Sequence, residues 1–306
     1  MKLSVGFATF SLWLAAAATA TATLEASSLY DAASPKRYSV HAHSCDPAHP
    51  GKHCRPAHIA HQGGYSVKLA ESPYQNSASN CPAPAPGGSG TINPPNAGRC
   101  HPVGATAEIT SLSGPNGHID WLNCGINGPG WSPAQVKIED LVVVLLDSAR
   151  HTTFSPCSDQ IIATFKKYGQ HLGIPPIILA SFAMQESTCN PSAVGGAGEQ
   201  GLMQITPEKC KGAPNGNCKD IDFNIRTGAE FFVATLASNG GDVFSTIGEY
   251  NGWKPGMTYG DATRAAHTCC RCQNNLDYLH QFLNGWMQGV NAYEMRLGKY
   301  HNVECP

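Results

Sequence analysis

Pro176-Ile177-Ile178-Leu179-Ala180-Ser181-Phe182-Ala183-Met184-Gln185-Glu186-Ser187 is the stretch whose reading decides the fold. Proline suits the first position of a helix, because its missing N–H is one of the donors a helix start leaves unbonded. The residues that follow are apolar or small all the way round, and a helix without a polar face is a buried helix. It ends on an ionisable side chain, Glu186. Burial disfavours the carboxylate, and the negative end of a helix acts in the same direction. Glu186 is therefore expected to stay protonated to near neutral pH, as a general acid must. On spacing alone, a glutamate that simply emerges into solvent at the helix end is an equal alternative.

On the upstream side, Ser158 is placed to cap a helix whose apolar face is Ile161, Ile162, Phe165 and Leu172, stopped by Gly173. Leu141, Val144, Leu145 and Ala149 fall at helical spacing and predict a further helix over residues 139–150. On the downstream side, Asn190-Pro191 turns the chain and Gly195-Gly196-Ala197-Gly198 permits a tight return to Gly201-Leu202-Met203-Gln204. Asp222 is read as opening a helix with Ile225, Phe232 and Leu236 that closes at Gly240-Gly241. Asp242 opens the next, through Val243, Phe244, Ile247 and Tyr250, and Tyr250-Asn251-Gly252 ends it. Leu276, Leu279, Phe282, Leu283 and Trp286 mark a late helix. Alternating strand patterns are scarce, so the fold class is mainly α.

The remainder of the chain has a different texture. Met1-Lys2, an apolar run from Leu3 to Ala18 and small-residue exits read as a secretory signal peptide over residues 1–20. Lys36-Arg37 is read as a processing site, making residues 21–37 a propeptide, with an ordinary surface pair as the alternative. Residues 38–117 are rich in Pro, Gly, Ser, Asn and His and form a disulfide-containing, largely irregular N-terminal extension to a helical domain at 118–306. Thirteen cysteines suit an oxidising compartment, so a secreted, extracellular protein is expected. Eight of them, from Cys157 to Cys305, form an even set that can pair internally, whereas the five upstream form an odd one. Cys210 and Cys218, flanking a Gly/Pro/Asn loop, are the easiest pair to close.

Composition excludes some partners. The formal charge of −2, with no basic excess in the C-terminal half, argues against nucleic acid. The longest apolar run after the signal, Leu141 to Leu146, is too short to span a membrane and reads as one buried helix. His41, His43, His49, His53, His58 and His61 cluster with Cys45 and Cys54, yet match no closed zinc spacing, so no metal site and no cofactor are expected. A monomer is the expected state.

Glu186-Ser187, then Gly201-Leu202-Met203-Gln204, then Tyr250-Asn251-Gly252 after two further helical segments, resembles the lytic transglycosylase family, with the lysozyme-like α+β fold of glycoside hydrolase family 23 shared with goose-type lysozymes. Residues 118–306, including Trp121-Leu122-Asn123-Cys124 and Cys269-Cys270-Arg271-Cys272, look most like secreted fungal members. The resemblance implies an enzyme acting on bacterial peptidoglycan, with Glu186 as its catalytic acid/base. It implies substrate contacts for Ser187, Gln204, Tyr250 and Asn251, with the Tyr250 hydroxyl steadying the catalytic carboxyl. Met203 is assigned to the site as well, with core packing an equal alternative. Trp253, just past that motif, is read as a sugar-stacking residue, and Trp286 as core.

The reaction so implied breaks the MurNAc-GlcNAc β-1,4 bond and leaves 1,6-anhydro-muramyl ends. A goose-type lysozyme using water needs a second carboxylate. Glu249, Asp242 and Asp261 are the candidates, each with a structural reading. A chitin-directed hydrolase and a non-catalytic glycan-binding protein complete the alternatives.

Overall fold

The computed structural model describes residues 90–305, together with a two-residue antiparallel pairing of β1 (His43–Ser44) with β2 (Arg55–Pro56). That pairing apart, the expectations for residues 1–37 and for the histidine cluster lie outside the described residues. The helices are α1 (Ile119–Leu122), α2 (Leu146–Ala149), α3 (Asp159–Leu172), α4 (Pro176–Ser187), α5 (Ile221–Ser238), α6 (Val243–Tyr250), α7 (Tyr259–Ala262) and α8 (Tyr278–His280). The architecture is mainly helical, as expected.

Local chemistry explains where the long helices begin and end. The Ser158 hydroxyl accepts from the Ile161 N–H to open α3, and Gly173, at φ 70°, closes it in the left-handed region that favours glycine. Asp242 caps α6 by accepting from the Phe244 N–H. The cap of α5 is Asp220, which accepts from the Phe223 N–H, and not Asp222 as the sequence suggests. Asp222 instead accepts from the Tyr168 hydroxyl at 2.6 Å and pairs with Lys167 at 2.6 Å, tying α5 to α3.

α4 runs through the core, with every residue from Ile177 to Met184 buried. It packs on α3 and on the C-terminal segment, while α3 also packs on α5 and α5 on α6. Phe182 lies at the centre, its ring centroid 4.2 Å from Tyr250, 4.5 Å from Phe282 and 5.5 Å from Phe232. Burying a phenylalanine in such surroundings contributes about 1.5–3 kcal/mol from area alone.

Two helical expectations are corrected. Residues 139–150 do not form one helix: a short 3-10 turn, Ile138–Asp140, and α2 flank an extended stretch. The β-branched Val142-Val143-Val144 run finds its hydrogen bonds elsewhere. Asn116 accepts from the Val142 N–H at 2.8 Å and donates to its carbonyl at 2.8 Å, and the Val144 N–H donates to the Met287 carbonyl at 3.1 Å. The late helix is likewise broken, into α8, a π-helical turn at Gln281–Gly285 and a 3-10 turn at Trp286–Gln288. Within it the buried Asn284 side chain accepts from the Asn116 N–H and donates to the Gly117 carbonyl.

These bonds make the stretch from 90 to 117 part of the same packed body, although it was expected to belong to the extension. Ile92 is buried in the core, and Cys100 is bonded to Cys124. All eight C-terminal cysteines pair among themselves, as Cys157–Cys189, Cys210–Cys218, Cys269–Cys272 and Cys270–Cys305. Among the described residues, no helix is long and apolar enough to cross a membrane.

Candidate active site

Glu186 occupies the last turn of α4, where the buried helix meets the surface. The chain reverses directly after it. Thr188 and Cys189 both take positive φ, 53° and 57°, a conformation that costs a non-glycine residue on the order of 1 kcal/mol. The Cys157–Cys189 disulfide and the bonds from the Thr188 N–H to the Ala183 and Met184 carbonyls hold the reversal in place. Glu186 is half-buried. Desolvation pushes its carboxyl up to about 7, the nearby negative charge of Glu199 adds to the rise, and a hydrogen bond from Tyr278 opposes it. A carboxyl poised there can give a proton and take one back near neutral pH.

Two tyrosines that sequence reading passed over attend this end of α4. The buried Tyr278, first residue of α8, donates its hydroxyl to Glu186 Oε1. Tyr293 donates to the Gln185 carbonyl at 2.9 Å, remains 44 % exposed, and packs edge-on to Trp286. Desolvation of the hydroxyl, with the charge of Glu186 adding to it, raises both phenols above their usual range, although the Tyr293 ring keeps an exposed face, so both stay protonated donors. Only their distance along the chain hid them, since neither lies in a motif.

The Gly201-Leu202-Met203-Gln204 turn is brought against α4 by Asn224 of α5. This fully buried amide accepts from the Met203 N–H at 2.8 Å and donates to the Gln200 and Cys218 carbonyls at 2.8 and 2.9 Å. Gly201, at φ 76°, lies so close to it that a side-chain Cβ would sit 2.4 Å from Asn224 Nδ2. Gly228, one turn along α5, gives the Met203 side chain its seat. The Ser187 hydroxyl lies 2.9 Å from both the Ala183 and Leu202 carbonyls and so joins the helix end to the turn.

The other residues expected at the site divide by what they touch. Gln204, at φ 44°, is half-buried, and its amide donates to the Gly201 carbonyl at 2.8 Å. Burial, with the charge of Glu186 adding to it, raises the Tyr250 phenol well above its usual range, yet its hydroxyl donates to the Met203 carbonyl at 2.8 Å, not to the carboxyl. The group that steadies Glu186 is Tyr278, which corrects the expectation for Tyr250. Asn251 caps α6 and accepts from the Asn275 N–H at 2.8 Å, while its carbonyl accepts from Asn274 at 2.6 Å. From Asn275 the chain of amides runs through Gln281 to Gln185, beside Glu186. Met203 is fully buried, so its side chain belongs to the core, and only its carbonyl serves the site. Trp253 is 1 % exposed with its ring edge-on to Trp131 at 5.0 Å, leaving no face for a sugar.

The carboxylates weighed as a second acid are placed as follows. Asp242 is buried as a helix cap, Asp261 caps α7 through Thr258, and the exposed Glu249 accepts from Asn239 at 3.2 Å. Glu199 was not among them, and it is the acid whose charge Glu186 feels. It lies in the glycine-rich return, where its carboxylate accepts from the Ala197 N–H at 3.1 Å and covers Gly195 together with Gln204.

Residues 163–256 match the family model described as Transglycosylase SLT domain. Among solved structures, the chain is similar to the 70-kDa soluble lytic transglycosylase in complex with bulgecin A, with 26% identity, 30% of this chain and 16% of that chain covered, and a TM-score of 0.28. It is similar to the 70-kDa soluble lytic transglycosylase from Escherichia coli, with 18% identity, 46% and 26% coverage, and a TM-score of 0.30. An inactive mutant of the lytic transglycosylase Slt from Pseudomonas aeruginosa gives 20% identity, 44% and 21% coverage, and a TM-score of 0.28. The chain thus spans only 16% to 26% of the length of these structures. The matched segment runs from within α3 to just past α6 and holds Glu186, the Gly201–Gln204 turn and Tyr250-Asn251-Gly252. The match to the transglycosylase SLT domain thus takes in the end of α4 and the turn packed against it, and does not extend to Tyr278 or Tyr293.

Proposed function

We propose that the protein is a lytic transglycosylase that breaks the β-1,4 bond between N-acetylmuramic acid and N-acetylglucosamine in bacterial peptidoglycan, with Glu186 as its acid and base. The observation that carries this reading is a half-buried carboxyl held near pH 7 inside the segment that matches the SLT domain. Protonated Glu186 gives its proton to the bridging oxygen, and the bond to the muramyl C1 breaks. The 2-acetamido oxygen of the sugar supports the positive charge on C1. Glu186, now a carboxylate, accepts a hydrogen bond from Tyr278 and removes the proton of the muramyl C6 hydroxyl, whose oxygen closes on C1. One proton leaves Glu186 and one returns, and no water is consumed. No metal or cofactor enters this scheme.

In this scheme Ser187 at the end of α4, Gln204 on the turn, and Tyr250 and Asn251 at the end of α6 meet the sugars. Export to the extracellular space agrees with five disulfides among the described residues, and a monomer suffices for the chemistry. Glu199 supports a second reading, hydrolysis, because a carboxylate beside the acid could activate water. Release of soluble fragments from purified peptidoglycan tests the first reading's acid. Wild-type protein should release them, and Glu186→Gln should lower the rate by at least about a hundredfold. Equal release by both proteins would remove Glu186 from the mechanism.

A further inference from the structure

Gln185, the residue before Glu186, is bound three times by the C-terminal part of the chain, beyond residues 163–256. Trp286 donates its indole N–H to Gln185 Oε1, and the Tyr293 hydroxyl donates to the Gln185 carbonyl at 2.9 Å. Gln185 Nε2 in turn donates to Oε1 of the buried Gln281 at 2.9 Å. Gln281 stands one turn after Tyr278, so the two reach consecutive residues of α4, Gln185 and Glu186. It also opens the π-helical turn Gln281–Gly285, a rare geometry that recurs at functional sites. The same Oε1 accepts a second bond, from Asn275 Nδ2 at 2.8 Å, and the Asn275 N–H donates to Asn251 Oδ1 at 2.8 Å. Gln281 Nε2 donates to the Leu297 carbonyl at 3.1 Å. An amide oxygen has two lone pairs, and here both are taken. A single oxygen atom thus joins the Glu186 end of α4 to the Asn251 end of α6.

We propose that Gln281 is a positioning residue, which sets Glu186 against the end of α6 through Gln185 on one side and Asn275 on the other. The inference rests on the reading of Glu186 as the acid above. Proton transfer needs the carboxyl within about 2.6–3.2 Å of the bridging oxygen, and a misplacement of about 1 Å can cost a hundredfold in rate. Tyr278 holds one carboxyl oxygen of Glu186, but that bond does not fix the helix end relative to Asn251. The Gln281 amide does so, because its oxygen is shared between the two sides and its nitrogen is anchored on Leu297. Glutamine suits this place chemically. Its oxygen takes two donors while its nitrogen supplies one, whereas methionine, of similar length, offers neither a strong acceptor nor a donor.

A double-mutant cycle on release of fragments from soluble peptidoglycan strands tests the inference. Wild type, Gln281→Met, Gln185→Met and the double variant are compared at a temperature well below each melting midpoint, with Glu186→Gln as the inactive control. Each single variant should lower kcat by at least about tenfold and change KM by less than about threefold, because the proposed sugar contacts at Ser187, Gln204, Tyr250 and Asn251 remain. The double variant should fall no more than about threefold below the weaker single one, since both substitutions break the same bond. Gln185 is half-buried, so Gln185→Met carries the kcat test even if Gln281→Met does not fold. A kcat less than about tenfold below wild type in the single variants, with Glu186→Gln inactive, would overturn the positioning role and leave the proposed function standing. A raised KM with kcat retained would overturn it as well. A double variant as slow as the product of two independent losses would show that the two amides act separately, and would overturn the coupling through Gln281. No release by wild type, or equal release by Glu186→Gln, would overturn both.

Discussion

The hydroxyl of Tyr278 donates to Oε1 of Glu186, joining two residues 92 positions apart in the chain. Glu186 is delivered by a helix buried on all sides, and Tyr278 by the first turn of an irregular C-terminal segment. The donor favours the ionised carboxylate, whereas desolvation and the charge of Glu199 favour the protonated acid. The balance of these opposing effects holds the carboxyl near neutrality.

The balance can be tipped either way. Tyr278→Phe removes the group that lowers the pKa, so the alkaline limb of the kcat/KM profile should move up by roughly half to one pH unit. Glu199→Gln removes a charge that raises it, so the limb should move down. Measuring both profiles checks the pair: shifts in the same direction would contradict the electrostatic assignment.

Glu186 also burdens the fold. Its folded pKa of about 7 lies above the ordinary 4.5, so the folded state binds the proton more tightly than the unfolded chain does. Stability is greatest below pH 4.5 on this account and falls as pH rises through 7. Glu186→Gln should therefore be more stable than wild type at pH 8, by on the order of 1–3 kcal/mol, and nearly equal to it at pH 4. Denaturant unfolding at the two pH values measures the difference.

His280 acts with the opposite sign. It is fully buried, near the Thr110 carbonyl at 3.3 Å and the Asn284 amide at 3.0 Å. Burial lowers its pKa from 6.5 to about 4, so between these values the unfolded chain binds the proton that the folded protein refuses. Stability from this group is full above pH 6.5 and falls as pH drops toward 4, by up to about 3 kcal/mol. Replacing His280 with Asn should flatten that part of the stability profile, as followed by thermal unfolding across the range.

Asn224→Ala is expected to damage the site from a distance. This amide accepts from Met203 in the Gly201–Gln204 turn and donates to Gln200 just before it and to Cys218, so its loss should cost about 3 kcal/mol of stability and lower turnover by at least about tenfold where the protein remains folded. A melt by circular dichroism and a rate measured well below the midpoint separate the two effects.

How far these features could be read in advance depends on how local their causes are. The buried α4, the Ser158 and Asp242 caps, the left-handed Gly173 and the Cys210–Cys218 loop all follow from neighbours a few residues apart. The extended Val142-Val143-Val144 segment does not, because Asn116 and Met287 supply its hydrogen bonds from remote parts of the chain. Tyr278 and Tyr293 stand in no motif, and their contact with the end of α4 is purely tertiary. Trp253 directly follows the Tyr250-Asn251-Gly252 motif, yet its ring is turned inward onto Trp131. Glu199 sits among glycines like an ordinary loop acid, and only the return of that loop toward α4 brings its charge to Glu186.

The most direct test of the central claim is the mass of the muramyl ends released when the protein digests purified peptidoglycan in heavy-oxygen water. Ring closure by the C6 hydroxyl predicts anhydro ends, one water lighter than reducing ends and free of the heavy isotope. Reducing ends carrying the isotope would contradict it and make the protein a hydrolase.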